Sequence, residues 1–312
     1  YEKAVAYVVA DNHLAELAET DTEQLAELLQ EISQIEDFDI EATGFEMDDI
    51  DDMINELHPK EIIEDEVPDV PIEAVTQRGD VWELGRHRVM CGDSTDTADV
   101  DKLMCGTRAD MAFSDPPYNL NFDYNEYDDS KPYDEYKHFC SKWFANLLKF
   151  SQGNAVITPG KQNVGMWYEI KKWSEMCIWV ARNKMSGGKV SHLSLFEPVL
   201  FYGDFNRASR ANDLFEYNVK QQSDTGDHTC PKIIDFIVDI VESYSANKST
   251  WLDLFGGSGT TLIACEQTDR RSYNMEYDPH YCDVIIQRYV NLTGNTRIKR
   301  NGEPYTWQVK EK

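Results

Sequence analysis

The segment Trp251-Leu252-Asp253-Leu254-Phe255-Gly256-Gly257-Ser258-Gly259-Thr260-Thr261 runs from an apolar stretch into glycines and then into a helix-compatible run. Glycines at such a junction let the backbone turn sharply and approach a ligand whose polar groups meet a helix N-terminus. No lysine follows Gly259, so this is not a phosphate-binding P-loop, and the third glycine of a dinucleotide fingerprint is missing. Glu276 closes the next apolar run, 17 residues past Gly259 (276 − 259), where a carboxylate can accept hydrogen bonds from both hydroxyls of a ribose. The two features describe a site for a nucleoside-type ligand without a diphosphate; taken singly, they read as a glycine turn and a surface acid.

A second segment, Ala112-Phe113-Ser114-Asp115-Pro116-Pro117-Tyr118-Asn119, again carries an apolar run into a loop. Two prolines remove two backbone donors and stiffen the turn, so the Asp115 carboxylate and the Pro116 carbonyl can act as acceptors aimed at one point. Tyr118 can supply a stacking face. An exocyclic amino group on a flat heterocycle needs this set: acceptors on its two N–H groups favour a pyramidal, nucleophilic nitrogen. Alone, the tetrapeptide is as readily an ordinary proline turn.

These loops must be held by regular elements. Strand-like runs are expected at Ala109–Ser114, Ala155–Thr158, Cys177–Ala181, Pro198–Tyr202, Thr250–Phe255 and Ser272–Glu276. Helical patterns fall between several of them, at Tyr136–Phe150, Val164–Trp173, Pro231–Ser243, Thr261–Gln267 and His280–Leu292. Alternation around Gly85 between Asp80 and Asp93 reads as a hairpin. The fold class is therefore α/β: a Rossmann-like, mostly parallel twisted sheet with helices on both faces. Ahead of it, Leu14, Leu17, Leu25, Leu28, Leu29 and Ile32 recur at helical spacing, and Phe45, Ile50, Met53, Ile54 and Leu57 repeat the pattern. Residues 1–57 thus form an N-terminal helical appendage. Residues 58–77, with Pro59, Pro68 and Pro71 and six acids between Glu61 and Glu73, read as a linker to a domain spanning 78–312.

The chain has 312 residues, 41% hydrophobic and 12% aromatic, enough for a substantial core, and a net charge of −27. Residues 1–75 carry 24 acids and two bases, leaving 33 acids and 28 bases beyond, so the larger part is near neutral and a nucleic-acid partner stays open. No apolar run reaches bilayer-spanning length, so no membrane association is expected. Seven cysteines, at 91, 105, 140, 177, 230, 265 and 282, form no CxxC pair and lie near no histidine at ligand spacing, which points to reduced thiols, a cytoplasmic setting and no metal.

Asp115-Pro-Pro-Tyr118 and Phe255-Gly-Gly-Ser-Gly-Thr-Thr261 together resemble motifs IV and I of the amino-methylating DNA methyltransferases, which use S-adenosylmethionine. With the catalytic motif first and the cofactor loop near the C-terminus, the order is similar to the β class, a circular permutation of that fold, and the likeness covers residues 78–292. The resemblance implies Asp115, Pro116, Pro117 and Tyr118 at the target amine. It puts Asp253, Phe255, Gly256, Gly257, Ser258, Gly259, Thr260 and Thr261 around the methionine part of the cofactor, Glu276 on its ribose and Asp93 on its adenine. Asp227-His228-Thr229-Cys230-Pro231-Lys232 is similar to motif X, which adds Thr229 and Lys232; the two prolines of the usual form are absent, and His228 can equally be a helix cap. In the β class the recognition segment would fall at about 204–226, where Arg207 and Arg210 can contact DNA. Arg182, Lys184 and Lys189 suit phosphates, and Phe122 and Tyr124 suit either a closing loop or plain packing. An Asp opening motif IV is more typical of adenine than of cytosine enzymes. The implied partners are double-stranded DNA, in a bacterial or phage-infected cell, and a second subunit, since so short a recognition segment would need help. Residues 1–57 also resemble the C-terminal helical end of a ParB-like domain, whose active site would lie upstream of Tyr1, so no nuclease activity is expected. The remaining alternatives are an RNA or protein-amide methyltransferase and a non-catalytic DNA-partitioning scaffold.

Overall fold

In the computed structural model, residues 62–63, 66–122, 127–183, 194–204, 213–218 and 233–308 are described, together with Leu25, Leu28 and Ile32. The chain divides into Tyr1–Glu61 and Ile62–Lys312. In the first unit Leu25, Leu28 and Ile32, spaced by three and four, are helical as the periodicity predicts; the rest of the expected helices there lies outside the described residues.

The second unit is built on one sheet with the order β11-β10-β1-β2-β9-β8-β3-β4-β6-β5-β7. Its strands are β1 Val81–Leu84, β2 His87–Cys91, β3 Met111–Ser114, β4 Ala155–Ile157, β5 Glu175–Val180, β6 Phe196–Tyr202, β7 Leu214–Glu216, β8 Thr250–Asp253, β9 Arg271–Glu276, β10 Arg297–Arg300 and β11 Glu303–Thr306. The parallel part expected from strand–helix alternation is the middle, β2-β9-β8-β3-β4, with β5 and β7 a further parallel pair. Antiparallel pairings extend it at both ends, so the sheet is mixed rather than mostly parallel. Every residue of β3, β4 and β8 is buried, as suits parallel strands covered on both faces.

Six helices cover the sheet among the described residues: α1 Thr97–Met104, α2 Tyr133–Phe150, α3 Val164–Ile170, α4 Ile234–Tyr244, α5 Thr260–Gln267 and α6 Pro279–Thr293. One core layer gathers α4, α5 and α6 around Trp251 and Phe236, and the other gathers α1, α2 and α3 around Trp143 and Trp167. Asp278 caps α6 by accepting from His280 N, Pro279 occupies the first turn, and Gly294 ends it in the left-handed region. Helix α2 starts at Tyr133, three residues earlier than expected, with Asp134 and Glu135 in its first turn. Helix α3 stops at Ile170 rather than Trp173, because Lys171 turns extended.

Two further differences bear on the architecture. Hairpin β10–β11 lies within a charged stretch with no apolar alternation, yet Trp82 meets Tyr305 and Trp307 edge-on at 5.0 and 5.5 Å and fixes it to β1. The segment read as a linker is, from Ile62 on, strapped to the sheet domain. Ile63 exchanges two backbone bonds with the Gln267 amide, and the buried Asp283 carboxylate accepts from Val75 N, Thr76 N and Thr76 Oγ1. Such a strap uses backbone groups, which leave no periodicity to read.

Candidate active site

Register aligns the carboxyl ends of the central strands: Cys91 pairs with Glu276, Asp253 with Asn274, and Ser114 with Ile157. After β8 the chain turns one way, to β9; after β3 it turns the other way, to β4. Between β8 and β3 lies the topological switch point, where open α/β sheets hold their ligands. The two loops singled out by sequence both start there. They are joined by Ser114, whose Oγ donates to Asp253 Oδ1 (3.4 Å) and accepts from Leu254 N (3.2 Å).

On the β3 side, Asp115 follows the strand directly. Its Oδ1 accepts from the Tyr118 hydroxyl (2.5 Å) and from the Thr158 hydroxyl (2.5 Å). The turn is held from behind: Tyr136 on α2 donates to the Pro117 carbonyl (2.7 Å), and Asn163 Nδ2 donates to the carbonyls of Tyr118 (2.9 Å) and Pro159 (3.0 Å). Past it, Asn119 and Asn121 take positive φ of 60° and 59°. The buried Asp129 carboxylate gathers the N–H groups of Asn119 (2.8 Å), Leu120 (2.9 Å) and Phe122 (3.1 Å).

On the β8 side, the Asp253 carboxylate is buried inside the glycine turn, accepting from Phe255 N (3.0 Å) and Thr261 Oγ1 (2.7 Å). Burial pushes its pKa up to about 7, against those two donors, and the nearby Asp115 charge pushes the same way. Gly259 has φ +87°, where any other side chain is strained, and a Cβ there would also crowd Ile285 at 3.1 Å. The start of α5 carries no side-chain cap. Glu276 ends β9 beside it; Oε2 accepts from Gly257 N (2.7 Å) and Oε1 from Asp278 N (2.9 Å), while burial again raises its pKa to about 7. Arg288, almost fully buried on α6, donates through Nη1 to the Ser258 carbonyl (3.0 Å) and Thr260 Oγ1 (3.2 Å). Phe255 turns its ring onto Trp143 of α2, 4.9 Å away and edge-on, so it joins the glycine turn to the second core layer. Asp93, past β2, accepts from Thr95 N and Oγ1, both at 2.8 Å.

The structure thus brings Asp93, Asp115, Pro116, Pro117, Tyr118, Asp253, Phe255–Thr261 and Glu276 to one row of strand ends. Of the DNA-contact candidates, Phe122 is part of the loop Asp129 gathers, whereas Arg182 sits past β5, three strands from β3, bonded to Glu216. Tyr124, Lys184, Lys189, Arg207, Arg210, Thr229 and Lys232, with most of 204–226, lie outside the described residues. Sequence reasoning missed Thr158, Asp129, Asn163 and Arg288. Thr158, Asn163 and Arg288 meet segments far apart in the chain, and Asp129 closes its own loop onto residues 119–122; no residue pattern marks either role.

Residues 178–288 match a family model described as a DNA methylase of the N6/N4 group, and residues 23–78 match one described as the ParB-methyltransferase HTH domain. The latter range runs on through the strapped segment. The type II methyltransferase M.MjaVI of Methanocaldococcus jannaschii is 28% identical over 79 residues, a match spanning 25% of this chain and 31% of that protein. Among solved structures, the M1.HpyAVI–SAM complex aligns at a TM-score of 0.49 with 18% identity, covering 65% of this chain and 99% of the other. PvuII DNA methyltransferase, described as cytosine-N4-specific, aligns at 0.49 with 15% identity over 65% and 86%.

Proposed function

We infer, from a chain whose residues 178–288 match a DNA methylase model of the N6/N4 class, that this protein moves a methyl group from S-adenosylmethionine to the 6-amino group of adenine in double-stranded DNA. The observation that carries this reading is the meeting of the Asp115 and Gly256–Gly259 loops at one switch point, tied through Ser114 to Asp253. The donor set fits S-adenosylmethionine: an acid at a strand end, a glycine turn, and an uncapped helix start with no lysine of the kind a diphosphate would call for. When bound, the cofactor supplies a methyl group made electrophilic by its positively charged sulfur.

The protein's own residues do the rest. Glu276 accepts from ribose hydroxyls, and Asp93 lies past the neighbouring strand end for the adenine. The Asp115 carboxylate and the Pro116 carbonyl accept from the target amine and stabilise positive charge growing on its nitrogen. Tyr118 offers its ring to a base that must leave the duplex, at a cost of about a few kcal/mol. Asp115 opening the motif is what favours adenine over cytosine. Residues 204–226 would read the DNA, assisted by a second subunit, and residues 1–57 are a helical appendage of ParB-like origin.

Digesting DNA to nucleosides after incubation with the protein and isotopically labelled S-adenosylmethionine tests the reading. Labelled N6-methyl-2′-deoxyadenosine is expected, and Asp115→Ala should lower its yield by roughly a hundredfold or more while cofactor affinity changes less than about threefold. Label in N4-methyl-2′-deoxycytidine would overturn the choice of base, and unlabelled DNA would overturn the whole assignment.

A further inference from the structure

Thr158 is the first residue past β4, and its backbone N–H donates to the Ser114 carbonyl (3.2 Å), which sets it level with Asp115 on the neighbouring strand. The residue is fully buried, and its hydroxyl donates to Asp115 Oδ1 at 2.5 Å. The Tyr118 hydroxyl reaches the same oxygen at 2.5 Å and lies 3.4 Å from Glu197 Oε2. The two donors on Oδ1 differ in what holds them. Tyr118 is half-buried on a loop, and its ring is the surface a flat base would stack on, so base entry and the Asp115 bond compete for its position. Thr158 is fixed by the sheet, and a β-branched side chain has few χ1 states to choose from.

We propose that Thr158 is a positioning residue for methyl transfer: its hydroxyl holds the Asp115 carboxylate in one orientation through Oδ1, so that the acceptor stays aimed when Tyr118 engages the base. The assignment rests on the methyltransferase reading above. It also accounts for the placement of a polar residue immediately after the wholly apolar Ala155-Val156-Ile157, at a fully buried site facing the one carboxylate the proposed reaction uses. A carboxylate free to swing by some tens of degrees would weaken acceptance of the amine N–H without weakening capture of either substrate.

The test compares wild type, Thr158→Ser, Thr158→Val and Thr158→Ala on unmethylated duplex DNA, with thermal unfolding recorded for each. Expected for Thr158→Val and Thr158→Ala is a kcat lower by about 10- to 100-fold, with KM for DNA and Kd for S-adenosylmethionine within about threefold of wild type. Thr158→Ser, which keeps the hydroxyl, should recover kcat to within about fivefold. Two hydroxyl-free variants of different size keep the test decisive if one of them folds poorly. Unchanged kcat in either folded variant, or Thr158→Ser as impaired as Thr158→Ala, would overturn the assignment while wild type stays active. A wild-type protein that leaves every DNA unmethylated would overturn the methyltransferase reading, and this assignment with it.

Discussion

Glu276 carries a dependence on pH whose sign follows from its surroundings. Burial raises its pKa from 4.5 to about 7, although the backbone N–H groups of Asp278, Gly257 and Tyr277 pull the other way. Between those values the folded chain holds a proton that the unfolded chain has released, so this carboxyl's contribution to stability falls as pH rises through that window and is level above it. Asp253, raised from 3.8 to about 7, acts in the same sense. Ribose hydroxyls donating to Glu276 favour its charged form, so binding an adenosyl ligand should expel a proton near neutrality. Affinity for S-adenosylhomocysteine should therefore rise from about pH 5.5 to about 7.5, by up to tenfold per unit, and level off above. Calorimetry in buffers of different ionisation heat measures the proton released. Proton uptake, or an unchanged slope in Glu276→Gln, would remove Glu276 from the ribose.

In the loop from Asn119 to Lys131, the described residues on either side of 123–126 are tied together through one side chain, Asp129. Asp129 receives three backbone N–H groups through its carboxylate, and Asn121 N donates to its carbonyl (2.8 Å). Asn119 adds a closing pair, Nδ2 to the Lys131 carbonyl (2.8 Å) and Oδ1 from Lys131 N (2.7 Å). Hydrogen bonds to a charged acceptor contribute about 1.5–3 kcal/mol each, so Asp129→Asn should open this loop locally without unfolding the domain. Limited proteolysis within 119–131 should accelerate at least about fivefold and KM for DNA should rise about tenfold, with cofactor affinity unchanged. Proteolysis at the wild-type rate would show that the loop is ordered by something else. Elements of this kind mark the limit of what the sequence discloses. The Asp115-Pro-Pro-Tyr118 and Gly256–Gly259 turns are legible because their backbones demand particular residue types. The central strands are legible because both their faces are buried. Thr158 is an ordinary residue until a strand distant in the chain is set beside it, and Asp129 until its own loop folds back over residues 119–122. Hairpin β10–β11 did carry a signal, since Asn301 and Gly302 both take positive φ and suit a two-residue turn. Its strand residues, Arg297-Ile-Lys-Arg300 and Glu303-Pro-Tyr-Thr306, mask that signal because only one face of so short a hairpin meets the core.

At the scale of the molecule, helix α6 links the strap to the ligand site. Near its start Asp283 anchors Val75 and Thr76, and Thr76 Oγ1 in turn accepts from Trp82 Nε1 (3.0 Å). Five residues on, Arg288 holds the Ser258 carbonyl and Thr260. Asp283→Ala would leave three donors without their acceptor in a buried place, a loss of about 3 kcal/mol. In a domain of this size that lowers Tm by about 6–12 °C. Because the lesion is in the anchoring of the strap rather than in the glycine turn, the variant should still bind S-adenosylhomocysteine. Ligand at a hundred times its Kd restores about 2.7 kcal/mol, so the thermal shift on adding it should be close to that of wild type. Scanning calorimetry with and without ligand separates the outcomes. A Tm loss below about 2 °C would mean that the strap contributes little to the fold. A lost ligand shift would mean that the strap and the Arg288 contact act on the site as one unit.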